Sequence, residues 1–328
     1  MGAPPSRPQA PSRRAGPASR GGPGKASAAG GGRVRAWLQA ARLPSQSYIA
    51  LPLLIGQALA AARGHPWRPG VLVAVLLFGL FDQLYIVWAN DYADQETDLR
   101  NRTPTPFSGG SRVLAEGRIT PTDLLNAATL AAALALGVSA WLALVEGRWL
   151  LVPLALVALA LLWAYSFPPL RLSYRGGGEL LQAAGTGLVL PLYGYYAQAG
   201  TAWGFPWLAS VALLPTQLAC ALSTSMPDEP SDRESGKRTA SVRLGLGTTG
   251  ALVVVFDAAA LVAFLLLPWS PRGTPNPVWS LPALMATALC LAWPDARPGT
   301  RDLALRVGAA VAATLAIGGA MLGSLLAP

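Results

Sequence analysis

The chain alternates long apolar runs with shorter polar segments. Nine runs, at about 47–63, 70–90, 122–145, 149–165, 179–199, 205–226, 249–268, 277–293 and 303–327, are apolar along most of their length. Stretches of about 17–25 residues are long enough to cross the roughly 30 Å hydrocarbon core of a bilayer as helices. The pattern predicts an all-α polytopic membrane protein with nine transmembrane helices over residues 35–328. Residues 1–34 lack this pattern and are rich in Pro, Gly, Ser, Ala and Arg. Such a segment buries too little surface to offset its ordering entropy, so a disordered basic tail is expected there.

The polar segments carry a topology signal. If the tail is cytoplasmic, that side holds 21 of the 25 Lys and Arg residues, leaving Arg63, Arg68, Arg148 and Arg272 on the other. Basic residues accumulate on the cytoplasmic side of membrane proteins. The N-terminus is therefore expected inside and the C-terminus outside, an odd number of crossings, in the cytoplasmic membrane of a prokaryote. The same alternation puts three polar loops, 91–121, 166–178 and 227–248, on the cytoplasmic face.

Composition agrees and excludes other classes. The chain is 52% hydrophobic and 12% charged, about half the charged content of soluble domains. Its net charge of +9 is spread over the tail and loops, which argues for topology and against a nucleic-acid groove. Nothing in the sequence calls for an obligate protein partner. Cys220 and Cys290 lie in apolar runs, and His65 is the only histidine. A disulfide framework, a zinc site and histidine-based catalysis are thus disfavoured.

Carboxylates, however, gather where two runs end. In "NDYADQETD" Asn90, Asp94 and Asp98 fall at i, i+4 and i+8, one helix face, with Asp91 flanking them. In "MPDEPSDRESGKRT" Asp228 and Asp232 repeat the i, i+4 spacing. One such pair could be a solvated acidic loop; two at matching depth call for a shared counter-charge. Oxygen ligands without His or Cys point to magnesium, which takes one or two carboxylates together with phosphate oxygens and water. Arg112 follows a Ser-Gly-Gly turn, and Lys237 and Arg238 follow Asp232. Basic groups beside the acidic pairs suit a magnesium-bound diphosphate. Tyr165, at the end of the fourth run, reads either as an interfacial belt residue or as a ring facing a cation. Asp82, deeper on nearly the Asn90 face, either orients a polar aromatic substrate or pairs with a neighbouring span. Asp257 in the seventh run has less context.

These residues resemble the UbiA superfamily of intramembrane prenyltransferases. "NDYADQETD" matches its N-D-x-x-D-x-x-x-D signature, and Asp228 and Asp232 match its D-x-x-x-D signature. "YSFPPLRLSYRGGGE" and "DRESGKRTASVRLG" look most like the branch that prenylates 1,4-dihydroxy-2-naphthoate in menaquinone synthesis, and Gln83 also fits that branch. The resemblance implies nine helices around a central cavity and transfer of an isoprenoid chain from a polyprenyl diphosphate to an aromatic acceptor. It implies that Asn90, Asp94, Asp98, Asp228 and Asp232 hold Mg2+, and that Arg112, Arg171, Lys237 and Arg238 bind diphosphate. Asp91 and Tyr165 then support the reaction, and Asp82 and Gln83 are candidates for the acceptor pocket. The same chemistry on 4-hydroxybenzoate, homogentisate, a porphyrin-derived acid or a lipid alcohol stays open. A transporter of an anionic or polyprenyl substrate is the alternative from another class.

Overall fold

The computed structural model describes Gly2 and residues 24–327 apart from Thr103 and Pro106, with backbone alone for 24–31. Residues 1 and 3–23, most of the tail expected to be disordered, lie outside the described residues. A first helix, α1 (Gly24–Ala40), runs across the boundary drawn at residue 34.

The described chain is all-α, its only β pairing being an isolated bridge between Thr105 and Ser108. Among the described residues five helices are long and apolar enough to cross a membrane: α3 (Pro69–Ala93), α5 (Pro121–Glu146), α10 (Trp207–Ser225), α13 (Leu246–Leu266) and α15 (Arg301–Leu326). The other four predicted runs are also helical but shorter or interrupted. These are α2 (Ser47–Ala62), α6 (Leu151–Ser166), α8 (Gly178–Ala184) continued by α9 (Leu190–Ala199), and α14 (Leu281–Leu289). Between α8 and α9 a π-helical turn, Gly185–Val189, interrupts the run predicted as one helix. Pro191, which lacks an N–H to give to the ladder, follows two residues after it. The eighth run opens with a 3-10 turn at Pro277–Ser280, so its helix is shorter than expected.

Helices that are apolar all round cannot be oriented by a hydrophobic stripe, so close backbone approach and a few polar contacts set their arrangement. The α2–α9 crossing shows how. A Cβ on Gly194 would collide with the Leu53 carbonyl, and one on Gly56 with the Pro191 carbonyl. Neither obstacle is a flexible side chain. Gly194→Leu is therefore expected to cost about 3 kcal/mol of stability through overpacking. Gly319→Ala, which meets open space, is the control; a Gly194→Leu melting temperature in detergent equal to that control would show that the crossing can relax.

The two ends of the bundle differ. At one end Gln198 accepts from the Arg68 N–H at 3.1 Å and donates to Gln57 at 3.0 Å, while Arg68 pairs with Glu146 at 2.5 Å. Exposed Trp149, Trp203 and Trp207 stand at this end. The opposite end carries the small helices α4 (Gln95–Arg100), α7 (Leu172–Arg175), α11 (Glu229–Glu234) and α12 (Ala240–Leu244). These bring the three polar loops together.

Candidate functional site

The three loops enclose a cavity of about 180 Å³ whose wall is largely polar. The first acidic stripe reaches it by a broken route. Helix α3 stops at Ala93, and Asp94 (φ −100°, ψ 14°) joins it to α4, so the single continuous helix expected over Asn90–Asp98 does not form. The i, i+4 relation nevertheless survives, because the Asp94 N–H donates to Asn90 O and the Asp98 N–H to Asp94 O, both at 2.9 Å. The second pair forms as expected: Asp228 precedes α11, and the Asp232 N–H donates to its carbonyl at 2.8 Å.

Asp94 Oδ2 accepts from Asn90 Nδ2 at 3.0 Å and from Lys237 Nζ at 2.8 Å, whereas its buried Oδ1 has no partner among the described residues. Asp232 Oδ1 lies 3.7 Å from the same ammonium, and its Oδ2 accepts from Thr239 Oγ1 at 3.1 Å. Asp228 is gripped by Asn101 Nδ2 at 2.7 Å and by the Gly109 N–H at 3.2 Å. The Asp98 carboxylate packs against Gly110, where no Cβ could fit.

Charge is out of balance here. Five carboxylates of the wall (Asp94, Asp98, Glu179, Asp228 and Asp232) face two basic side chains, Arg42 and Lys237. Burial, with Asp91 and Asp94 next, pushes the Asp98 carboxyl up to about 8. Burial also raises Asp228 to about 6, against the Gly109 N–H and Lys237, and Asp232 to about 7, against Lys237. Burial opposes the charge on Lys237, yet the Asp94 and Asp232 carboxylates hold it protonated well above the ordinary lysine range. Such a wall attracts a further cation. Among the described residues no three His, Cys, Asp or Glu side chains stand close enough to hold an ion by themselves. Magnesium takes one or two carboxylates and completes its shell with phosphate oxygens and water. The unpartnered Asp94 Oδ1 and the all-oxygen donor set fit it.

Of the residues singled out in the sequence, Asn90, Asp94, Asp98, Tyr165, Asp228, Asp232 and Lys237 share this wall; the others do not line it. Asp91 stands behind it, accepting from the Arg42 guanidinium and, at 3.1 Å, from the Ser111 N–H. Arg112 has φ +67° and turns its guanidinium onto the Asp98 and Asn101 carbonyls, latching the loop to α4. Arg171 (φ +42°) lies over the Tyr174 ring at 3.6 Å, and Arg238 is exposed. Asp82 is buried within α3, and Gln83 donates to Ser45 at 2.6 Å.

Sequence reasoning missed Arg42, Asn101, Thr239 and Glu179. Arg42 stands alone before an apolar run and reads as a topology charge. Glu179 follows the Gly176–Gly178 triplet, and its Oε1 accepts from the Ala240 N–H at 2.7 Å, tying α8 to α12. The triplet was the available signal. Gly178 faces the Tyr165 ring so closely that a Cβ would have to displace it.

The model of the UbiA prenyltransferase family matches residues 49–306. The 2-carboxy-1,4-naphthoquinone phytyltransferase of Synechocystis sp. is 28% identical over 236 residues, 69% of this chain and 71% of that protein. The digeranylgeranylglyceryl phosphate synthase of Korarchaeum cryptofilum is 30% identical over 211 residues, 62% and 68% of the two chains. Homogentisate phytyltransferase of Synechocystis sp. is 28% identical over 185 residues, 52% and 55%. Among solved structures, the apo form of a UbiA homolog from Aeropyrum pernix K1 superposes with TM-score 0.63 at 19% identity, covering 85% of this chain and 98% of that one. A UbiA homolog from Archaeoglobus fulgidus bound to DMAPP and Mg2+ gives 0.62 at 16%, covering 88% and 99%. At these identities the structures establish the shared fold.

Proposed function

Because the chain belongs to the UbiA prenyltransferase family, we propose that it uses magnesium to move an isoprenoid chain from a polyprenyl diphosphate to an aromatic acceptor, 1,4-dihydroxy-2-naphthoate foremost. It is an integral membrane prenyltransferase, and with that the transporter alternative falls. The observation that carries the finer reading is the convergence of two acidic pairs, from loops more than a hundred residues apart, on one cavity with Lys237 between them.

Asn90, Asp94 and Asp98 on one side and Asp228 and Asp232 on the other would hold magnesium, which supplies Lewis-acid stabilisation of the departing diphosphate. Lys237 and Arg42 offset the remaining negative charge of the leaving group as the C–O bond breaks. Asn101 and the Gly109 N–H fix Asp228 in place, and Asn90 orients Asp94, so the carboxylates need no rearrangement during the reaction. Tyr165 lines the cavity, and its electron-rich ring face would stabilise the allylic carbon as it becomes cationic. The apolar bundle excludes water that would otherwise capture that carbon. The acceptor ring attacks through one carbon, and the bond from that carbon to its hydrogen breaks to restore aromaticity, releasing a proton. In the naphthoate case the attacked carbon bears the carboxylate, and carbon dioxide leaves in place of the ring proton. The bias of basic residues supports a cytoplasmic placement of this site and of the N-terminus, with the C-terminus on the other side if all nine apolar runs cross.

The relative named for 2-carboxy-1,4-naphthoquinone favours a bicyclic acid, while those named for homogentisate and a glyceryl phosphate define the competing acceptors. Purified protein offered these acceptors with labelled prenyl diphosphates, and products weighed by mass spectrometry, is expected to prenylate dihydroxynaphthoate fastest. No product from it, with product from another acceptor, would replace that substrate and leave the transfer chemistry standing.

A further inference from the structure

Lys237 holds a place that neutralising a leaving group does not explain. Its ammonium donates to Asp94 Oδ2 at 2.8 Å and stands 3.7 Å from Asp232 Oδ1, so one cation joins the two acidic pairs. The arrangement is built into the backbone. Gly236 (φ +76°) turns the chain after α11, and the Lys237 N–H returns to the Asp232 carbonyl at 2.8 Å. The side chain passes the Tyr174 ring, with Nζ 5.3 Å from its centroid, and Tyr174 is itself held by Thr97 at 3.0 Å. Less than a tenth of either the Lys237 or the Asp94 side chain is exposed, so water screens this pair weakly. Asp94 Oδ1 stays without a partner; the ammonium uses one oxygen of that carboxylate and leaves the other.

We propose that Lys237 is a resident counter-cation that competes with the divalent ion for Asp94 and Asp232 and gives them up when a diphosphate arrives. This rests on the metal–diphosphate reading of the cavity. A divalent ion bound to an oxygen of Asp94 would sit about 2 Å from it, within a few ångströms of an ammonium that already uses the same carboxylate. Repulsion at that range, behind little solvent, is many times the thermal energy. The diphosphate relieves it by accepting the ammonium and bringing phosphate oxygens to the metal. Each ligand thereby raises the other's affinity, a reciprocal coupling carried by one side chain. The site then discriminates against free divalent ion and admits it together with substrate.

The test uses Mn2+ as the probe in detergent-purified protein, free ion being counted by electron paramagnetic resonance. With Mn2+ alone, Lys237→Met is expected to bind about tenfold or more tightly than wild type, the minimum from removing a neighbouring charge in a poorly screened site. Lys237→Arg, which keeps the charge, should bind as weakly as wild type. At saturating Mn2+, Lys237→Met should retain radiolabelled geranyl diphosphate less well than wild type. If Lys237→Met does not purify folded, Lys237→Gln carries the same measurement, since it keeps a donor to Asp94 without the charge. Equal or weaker Mn2+ binding by the neutral variants, with wild type retaining geranyl diphosphate, overturns the proposal alone. Wild type that retains no geranyl diphosphate with Mn2+, or retention that Asp94→Asn and Asp228→Asn leave unchanged, overturns the metal–diphosphate reading as well.

Discussion

Asp94→Asn and Asp228→Asn are each expected to lower turnover by about a hundredfold to a thousandfold, the range found when one preorganised electrostatic group is lost from an active site. Both changes keep the shape of the side chain and remove its charge. Asp94 Oδ2 is where Asn90 and Lys237 converge, and its Oδ1 is the buried oxygen left without a donor. Asp228 is set by Asn101 and the Gly109 N–H on its two oxygens, so an amide there also confronts one of these donors with its own NH2. The fold should persist, because all these contacts lie at one end of the bundle. Glu96→Gln is the control: Glu96 shares the stretch with Asp94 and Asp98, but its side chain is 88% exposed, and its loss should leave turnover unchanged. The measurement is product formed per minute with magnesium present, alongside a single symmetric gel-filtration peak for each variant. Near-normal turnover in both asparagine variants would remove the acidic pairs from the reaction.

Much of this architecture could be read from the sequence because a bilayer leaves little choice. A spanning segment must satisfy its own backbone hydrogen bonds, so each long apolar run becomes a helix. The acidic pairs were legible for a related reason: i, i+4 spacing keeps two carboxylates on one face whether or not the helix is regular. It survived the break at Asp94. The break itself, the π turn before Pro191 and the shortened helix after Pro277 leave no mark on the apolar pattern of the runs that contain them. The basic residues were the least legible. Arg112 and Arg171 stand beside the right motifs, yet positive φ at both turns their guanidinium groups to the Asp98 carbonyl and the Tyr174 ring. Arg42, 48 residues before Asn90, enters the wall through its pairing with Asp91. Long flexible cations are placed by tertiary packing, and sequence proximity does not report it.

The Ser-Gly-Gly turn gives the second large effect. Gly110 has φ +67°, and a Cβ there would overlap the Asp98 carboxylate. Gly110→Ala therefore combines two costs. The first is left-handed backbone for an alanine, about 1–2 kcal/mol. The second is displacement of Asp98, or of the loop that carries the Gly109 N–H to Asp228. Gly117 separates them, since it has φ +63° with open space where a Cβ would stand. Gly117→Ala should show the backbone cost as a lower melting temperature in detergent and keep the wild-type turnover per folded molecule. Gly110→Ala should lose a similar amount of stability and, in addition, about a hundredfold in turnover, the scale on which a misplacement of about 1 Å acts in a preorganised site. On the proposed mechanism Asp98 acts on the leaving group and not on the acceptor, so the loss should fall on turnover at saturating prenyl diphosphate and acceptor. If the two alanine variants match in turnover as well as in melting temperature, the loop has room to move, and the contact between Gly110 and Asp98 does not set the position of that carboxylate.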